Sequence, residues 1–246
     1  MSLTKKQKRK LRKNGTLDDR QHIPEKGLKL KEIKPKTWSQ QLTFDAYDDD
    51  KHMLLHGMAG TGKTFISLYL AFQELFYENR AEYNNVTIIR SVVPTRDIGF
   101  LPGKEQDKIG VYELPYQAIC NELFGRGDAY DILKHKELVN FLCTSFVRGT
   151  TLNDSIVIVD EINNMNFHEI DSIITRLGEN CRVIFCGDFR QSDLTRKTER
   201  EGIHQFMKVI DKLSDFEHVE FIADDIVRST LVKEYILARE EIDLCA

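Results

Sequence analysis

Residues Gly57-Met58-Ala59-Gly60-Thr61-Gly62-Lys63-Thr64 spell a GxxxxGK[ST] loop, a composition suited to gathering an anion. The glycines let the chain turn with its amide hydrogens inward, and the start of a following helix adds a positive end. In such a cradle Lys63 reaches the β and γ phosphates of a nucleoside triphosphate, and the Thr64 hydroxyl ligates the Mg²⁺ that bridges them. Much later in the chain, Ile156-Val157-Ile158-Val159 ends in two adjacent carboxylates, Asp160 and Glu161. Asp160 is expected to approach Mg²⁺ through a water, and Glu161 to orient and deprotonate an attacking water at the γ phosphate.

A third segment, Val183-Ile184-Phe185-Cys186-Gly187-Asp188-Phe189-Arg190-Gln191, repeats the design of an apolar run followed by polar residues. Gln191 is placed to hydrogen-bond the γ phosphate or the water, with Asp188 holding that network; the alternative is a turn around Gly187. Arg228 follows the last apolar run. It reads either as an arginine finger for the γ phosphate or as a surface salt bridge to Asp224 or Asp225.

The elements that must position these groups follow from hydrophobic patterning. Apolar runs at Met53 to Leu55, Val86 to Ile89, Ile156 to Val159, Val183 to Cys186 and Val219 to Ile222 suit buried strands. Helical patterns lie between them, so the expected fold is α/β: a three-layer sandwich with a mainly parallel sheet covered by helices on both faces. Phe65, Leu68, Tyr69, Phe72, Leu75 and Phe76 mark one face of the helix after the loop. Asn166 caps a later helix with Glu169 three residues on, a stripe of Ile170, Ile173, Ile174 and Leu177, and Gly178 at its end. Residues 97–150, rich in glycine and carrying two helical stretches, read as an insertion on one edge of the sheet.

The chain has 246 residues, 41% hydrophobic and 30% charged, enough for one large core. Residues 1–36 hold 13 Lys or Arg against 4 Asp or Glu, a net of +9, while residues 37–246 hold 22 against 35, a net of −13. Lys5, Lys6, Lys8, Arg9, Lys10, Arg12 and Lys13 make the front a flexible basic arm, fit for nucleic acid or serving only as a solvated tail. No apolar run approaches the roughly 20 residues that span a bilayer, so a cytoplasmic protein with no membrane partner is expected. Five cysteines (Cys120, Cys143, Cys181, Cys186 and Cys245) form no CxxC pair and read as reduced thiols.

Taken together, these segments resemble the PhoH family of P-loop ATPases, whose core is similar to one RecA-like domain of superfamily 1 helicases. The likeness spans roughly residues 38–240. Met58 to Thr64 resembles the family's PAGTGKT, and Gly99-Phe100-Leu101-Pro102-Gly103 with Lys108 and Ile109 resembles its GFLPG element. Arg148-Gly149 through Leu152-Asn153-Asp154 is similar to RGRTLND, with Thr150 in place of the second arginine. Asp160-Glu161-Ile162-Asn163-Asn164 stands for DEAQN, with an amide one carbon shorter, and Thr175-Arg176-Leu177-Gly178 and Gly187-Asp188 with Gln191 match TRxG and TGDxxQ.

The resemblance implies a γ-phosphate sensor at Gln191, an arginine finger at Arg228, and an adenine-reading amide at Gln40, with Gln41 as the fallback. It also implies a homo-oligomeric ring, a hexamer being one size, in which a neighbour's arginine completes the site. In front of the core only the basic arm is expected, with no PIN-type nuclease domain. The expected activity is ATP hydrolysis with Mg²⁺, coupled to binding or remodelling of RNA or single-stranded DNA, with Arg90, Arg96, Lys104 and Lys108 as phosphate contacts. The alternative is a small-molecule phosphotransferase using the same loop. A guanine-specific switch is disfavoured because no NKxD segment is present.

Overall fold

Near-continuous apolar runs without alternation demand strands buried on both faces, and that is what the chain builds in the four central strands of its sheet. The structure, a computed structural model, describes residues 28–77, 83–91, 105–188 and 197–244. Among these residues six strands are formed: β1 (His52–Gly57), β2 (Asn85–Arg90), β3 (Val139–Cys143), β4 (Ser155–Asp160), β5 (Arg182–Gly187) and β6 (Phe216–Phe221). The helices are α1 (Trp38–Asp48), α2 (Lys63–Tyr77), α3 (Glu105–Phe124), α4 (Ala129–His135), α5 (Thr144–Val147), α6 (Phe167–Ile174), α7 (Lys197–Ile210) and α8 (Thr230–Leu244). All five strand pairings are parallel, in the order β3-β2-β4-β5-β1-β6.

Successive side chains alternate between two cores. Met53, Leu55, Val86, Ile88, Ile156, Ile158, Ile184 and Cys186 pack toward α2, with Leu68, Phe72 and Leu75 beneath them. Leu54, Ile89, Val157, Val159, Val183 and Phe185 pack toward α6 and α7 through Ile170, Ile173, Phe206 and Ile210. A small third cluster, Met58, Ile226 and Ile236, seats α8 beside the phosphate loop. All five apolar runs chosen from the sequence fall in strands, although β6 begins three residues before Val219 and closes at Phe221.

Two elements differ from expectation. Segment 97–150, read as an insertion, carries α3 and α4 but also β3, an edge strand of the sheet, which pairs with β2 from Val86↔Val139 to Arg90↔Cys143. The helix capped by Asn166 has both halves of its capping box, Glu169 N to Asn166 Oδ1 at 3.1 Å and Asn166 N to Glu169 Oε2 at 2.9 Å. It stops at Ile174 rather than running to Leu177. Leu152 N donates to Arg176 O and Gly178 N donates to Leu152 O, so Leu177 is drawn out as a bridge partner of Leu152. A Cβ on Gly178 would lie 1.9 Å from Asn153 Oδ1, which is why that position has none.

Candidate nucleotide and metal site

Parallel strands deliver their carboxyl ends to one rim of the sheet, where α/β folds take their ligands. There the loop between β1 and α2 has three glycines in the left-handed region, Gly57 (φ 110°), Gly60 (φ 74°) and Gly62 (φ 86°). At Gly57 a Cβ would come within 2.2 Å of Phe221 O, and Met58 N donates to that same carbonyl, so β6 and the loop are in contact without side chains between them. Lys63 opens α2, and its ammonium donates to Gly57 O (2.9 Å), Met58 O (2.6 Å) and Thr61 Oγ1 (3.3 Å). Burial lowers the Lys63 pKa, and Asp188, Cys186, Asp160 and Glu161 push the other way.

Thr64 stands one residue along α2, and its hydroxyl donates to Asp160 Oδ1 at 2.8 Å across 96 residues of sequence. Asp160 ends β4 with 7% exposure, and Tyr116 of α3 donates its hydroxyl to the other oxygen, Oδ2, at 2.9 Å. Burial raises the Asp160 pKa, opposed by the bonds from Thr64 and Tyr116 and by the charge of Arg90. Glu161 follows with φ 54° and ψ 44°, a left-handed conformation that costs a residue with a Cβ about 1–3 kcal/mol and recurs at functional sites. Its pKa is raised by burial and by the neighbouring Asp160, and lowered by Arg90, Asn163 and Lys63.

Asn163, the shorter amide of the DEAQN-like segment, is 2% exposed; it bonds Glu161 and accepts from Asp188 N at 3.1 Å. It thereby ties the end of β4 to the end of β5. A Cβ on Gly187 would meet Ile162 Cγ1 at 2.6 Å and Asn163 Oδ1 at 3.0 Å, so glycine is what admits this tie.

Gln40 of α1 lies under the loop: Nε2 donates to Thr61 O at 2.9 Å and Oε1 accepts from Lys36 N at 2.8 Å. Gln41 instead bonds Asp45 at the surface. On the other side of the loop, Val227 N donates to Gly60 O, and Arg228 lies along the face of Gly60, its Cγ 2.9 Å and its Nε 3.7 Å from where a Cβ would stand. Asp225 is occupied by Ser39 N, Ser39 Oγ and Ile222 N, and among the described residues Arg228 makes no ion pair with it or with Asp224.

Thus Lys63, Thr64, Asp160, Glu161, Asp188, Gln40 and Arg228 converge on one rim. Gln191, Arg96, Lys104 and the GFLPG-like residues lie outside the described residues, as does the arm through residue 27; Lys108 falls in the first turns of α3. Arg90, expected as a nucleic-acid contact, is the register partner of Asp160 and its charge bears on both carboxylates. Tyr116 escapes a reading of the sequence. Nothing there marks it, because α3 contains Pro115 and no clear apolar stripe.

The site suits Mg²⁺. That cation takes hard oxygens from one or two protein groups and completes its shell with water and phosphate. Thr64 Oγ1 and Asp160 Oδ1 form such a pair where the glycine-rich loop enters α2. Among the described residues no helix is long and apolar enough to cross a membrane.

Residues 32–240 match the family model described as PhoH-like protein. A PhoH-like protein of Mycobacterium leprae (strain TN) is 29% identical over 213 residues, 86% of this chain and 59% of that protein. Protein PhoH of Escherichia coli (strain K12) is 30% identical over 184 residues, 74% of this chain and 51% of that protein. The chain therefore spans between half and three-fifths of the length of these relatives. The large terminase of a thermophilic bacteriophage in complex with ADP is similar at 13% identity and a TM-score of 0.48, over 81% of this chain and 48% of that one. Bacteroides sp Pif1 in complex with ADP-AlF4 is similar at 15% identity and a TM-score of 0.38, over 81% and 44%.

Proposed function

This chain belongs to the PhoH family, and from that premise we propose that it binds ATP with Mg²⁺, hydrolyses the γ phosphate, and couples the reaction to binding or remodelling of RNA or single-stranded DNA. One observation carries the reading: the Thr64 hydroxyl and the Asp160 carboxylate, far apart in sequence, meet at 2.8 Å at the start of the helix that follows the loop. When bound, Mg²⁺ would neutralise phosphate charge, held by Thr64 and Asp160. Lys63 would exchange its loop carbonyls for the β and γ phosphates, and loop amides would take the remaining phosphate oxygens.

Glu161 is the general base. Burial and the charge of Asp160 raise its pKa, which brings a carboxylate nearer to the range in which it accepts a proton from water. Asn163 orients it, and the strained backbone at Glu161 holds it at the strand end. Water as acceptor distinguishes this arrangement from a small-molecule kinase, whose base must face an acceptor hydroxyl. Gln40 is the candidate reader of adenine, already joined to the loop, and Gln191 is the γ-phosphate sensor. Arg228 acts as the finger; its place beside Gly60 of its own loop supports action within one subunit, whether or not subunits assemble in a ring.

The test is ATP turnover with and without poly(U) or poly(dT) at two salt concentrations, with Glu161→Gln as control. Turnover should rise with polynucleotide and the rise should fade with salt, as phosphate contacts yield to counterions. Glu161→Gln should still bind ATP while turning over about 10²–10⁴-fold more slowly. Full turnover in that variant removes Glu161 as base; turnover indifferent to polynucleotide removes the coupling.

A further inference from the structure

Asp160 has two oxygens, and each has its own partner. Oδ1 accepts from Thr64 and Oδ2 accepts from Tyr116, at 2.8 and 2.9 Å. The torsion that turns a carboxylate about its last bond is broad and nearly two-fold, so the side chain alone does not choose which plane it lies in. A second donor fixed in space does choose it. Tyr116 is such a donor: it is fully buried, and its ring packs against Phe141 of β3 with centroids 5.7 Å apart. A buried tyrosine hydroxyl requires a partner, and here it is the acid at the metal site. One turn earlier on α3, the ring of Tyr112 lies 5.9 Å from the guanidinium of Arg90, which is paired in register with Asp160.

We propose that Tyr116 is a positioning residue for the divalent-cation site, fixing the plane of the Asp160 carboxylate so that Oδ1 is presented beside the Thr64 hydroxyl. The inference rests on the reading of this rim as a Mg²⁺ and triphosphate site and deepens it. Its consequence is selective: the Tyr116 hydroxyl bonds Asp160 and neither the phosphate loop nor Lys63, so it governs affinity for the metal and not for the bare triphosphate.

Tyr116→Phe removes the hydroxyl and keeps the ring. Mn²⁺ uptake would be followed by electron paramagnetic resonance in the presence of a non-hydrolysable ATP analogue, and binding of the same analogue in EDTA by calorimetry. The half-saturating Mn²⁺ concentration should rise about 10-fold or more, the range for lost outer partners of metal ligands. Metal-free analogue affinity should stay within about twofold, since no loop contact is changed. Unchanged Mn²⁺ affinity overturns the positioning role alone, as does a parallel fall of both affinities, which marks a general loss of structure. Wild-type protein that takes up neither metal nor analogue overturns the proposal together with the ATPase reading.

Discussion

At the first residue of β5, Arg182 is 2% exposed and donates to Glu74 Oε2 at 3.0 Å and to Asp50, with its guanidinium 4.2 Å from the centre of the Tyr47 ring. Tyr47 in turn donates its hydroxyl to Glu74 at 2.5 Å. Past the other end of the same strand, Lys63 feels the charges of Asp188, Asp160 and Glu161. Both groups are buried charges, yet their energetics differ. Burial alone would lower the Arg182 pKa, but Tyr47, Glu74, Tyr83 and Asp50 overcome it and drive it upward. Around Lys63 the balance falls the other way: the lysine is lowered and the two carboxylates at the end of β4 are raised, each chiefly by burial. One end compensates its charge internally. The other leaves a lysine and two carboxylates shifted against their charged forms, with a strained Glu161 among them.

The largest effect should come from the ligand-facing end. Arg228→Ala is expected to lower ATP turnover by about 10³-fold or more if the guanidinium serves as a finger. It should leave the unfolding midpoint close to wild type, because the side chain is exposed and has no ion pair among the described residues. Mixing Arg228→Ala with Lys63→Ala protein separates the two arrangements. Action within one subunit gives no recovery, whereas turnover restored by mixing would mean that the finger crosses to a neighbour.

Next comes the self-compensated end. Arg182→Ala leaves Glu74 buried without its cation, a loss of about 3–5 kcal/mol against a typical total of about 5–15 kcal/mol. Urea denaturation should show it, and Arg182→Met combined with Glu74→Met should recover much of the loss, since a buried pair is often replaceable by packed apolar groups. If Arg182→Ala instead unfolds like wild type, the contrast between the two ends is false.

The two ends also differ in how readable they are in the sequence. The convergence of Lys63, Thr64, Asp160 and Glu161 on one rim is legible because the roles proposed for them need fixed residue types at fixed places on strand ends. The four central strands, β1, β2, β4 and β5, are legible for a related reason: burial on both faces forces unbroken apolar runs. Strand β3 is not, because an edge strand tolerates polar residues and Val139-Asn140-Phe141-Leu142-Cys143 reads equally well as part of a loop. The last turn expected of α6 is lost to pairing with Leu152, a partner more than 20 residues away that no local pattern reveals. Arg182 gives no warning either: an arginine before an apolar run looks like a surface residue until Glu74 and Asp50 arrive from other elements. Tyr116 is hidden for the same reason, since its role lies entirely in what it touches.

The smallest expected effect concerns acid. His52 opens β1 near Arg182, and its Nδ1 accepts from Val183 N at 3.2 Å, which only an unprotonated nitrogen can do. Its pKa is lowered, first by burial and then by the charge of Arg182, with Asp215 opposing weakly. The unfolded chain therefore binds a proton at His52 more readily than the native one. The sign follows: the stability tied to neutral His52 is present above the ordinary histidine value of about 6.5 and is lost as pH falls through the lowered one. Asp160 and Glu161 have the opposite sign, because carboxylates with raised values favour the native state at low pH and lose that contribution as pH rises. Urea midpoints between about pH 7 and pH 5 should fall less steeply for His52→Gln than for wild type. The slope is the readout, because losing the ring that packs on Phe216 shifts the curve at every pH alike. Identical slopes would mean that Arg182 raises no acid-sensitive cost at His52, and the self-compensated end would then be indifferent to protons.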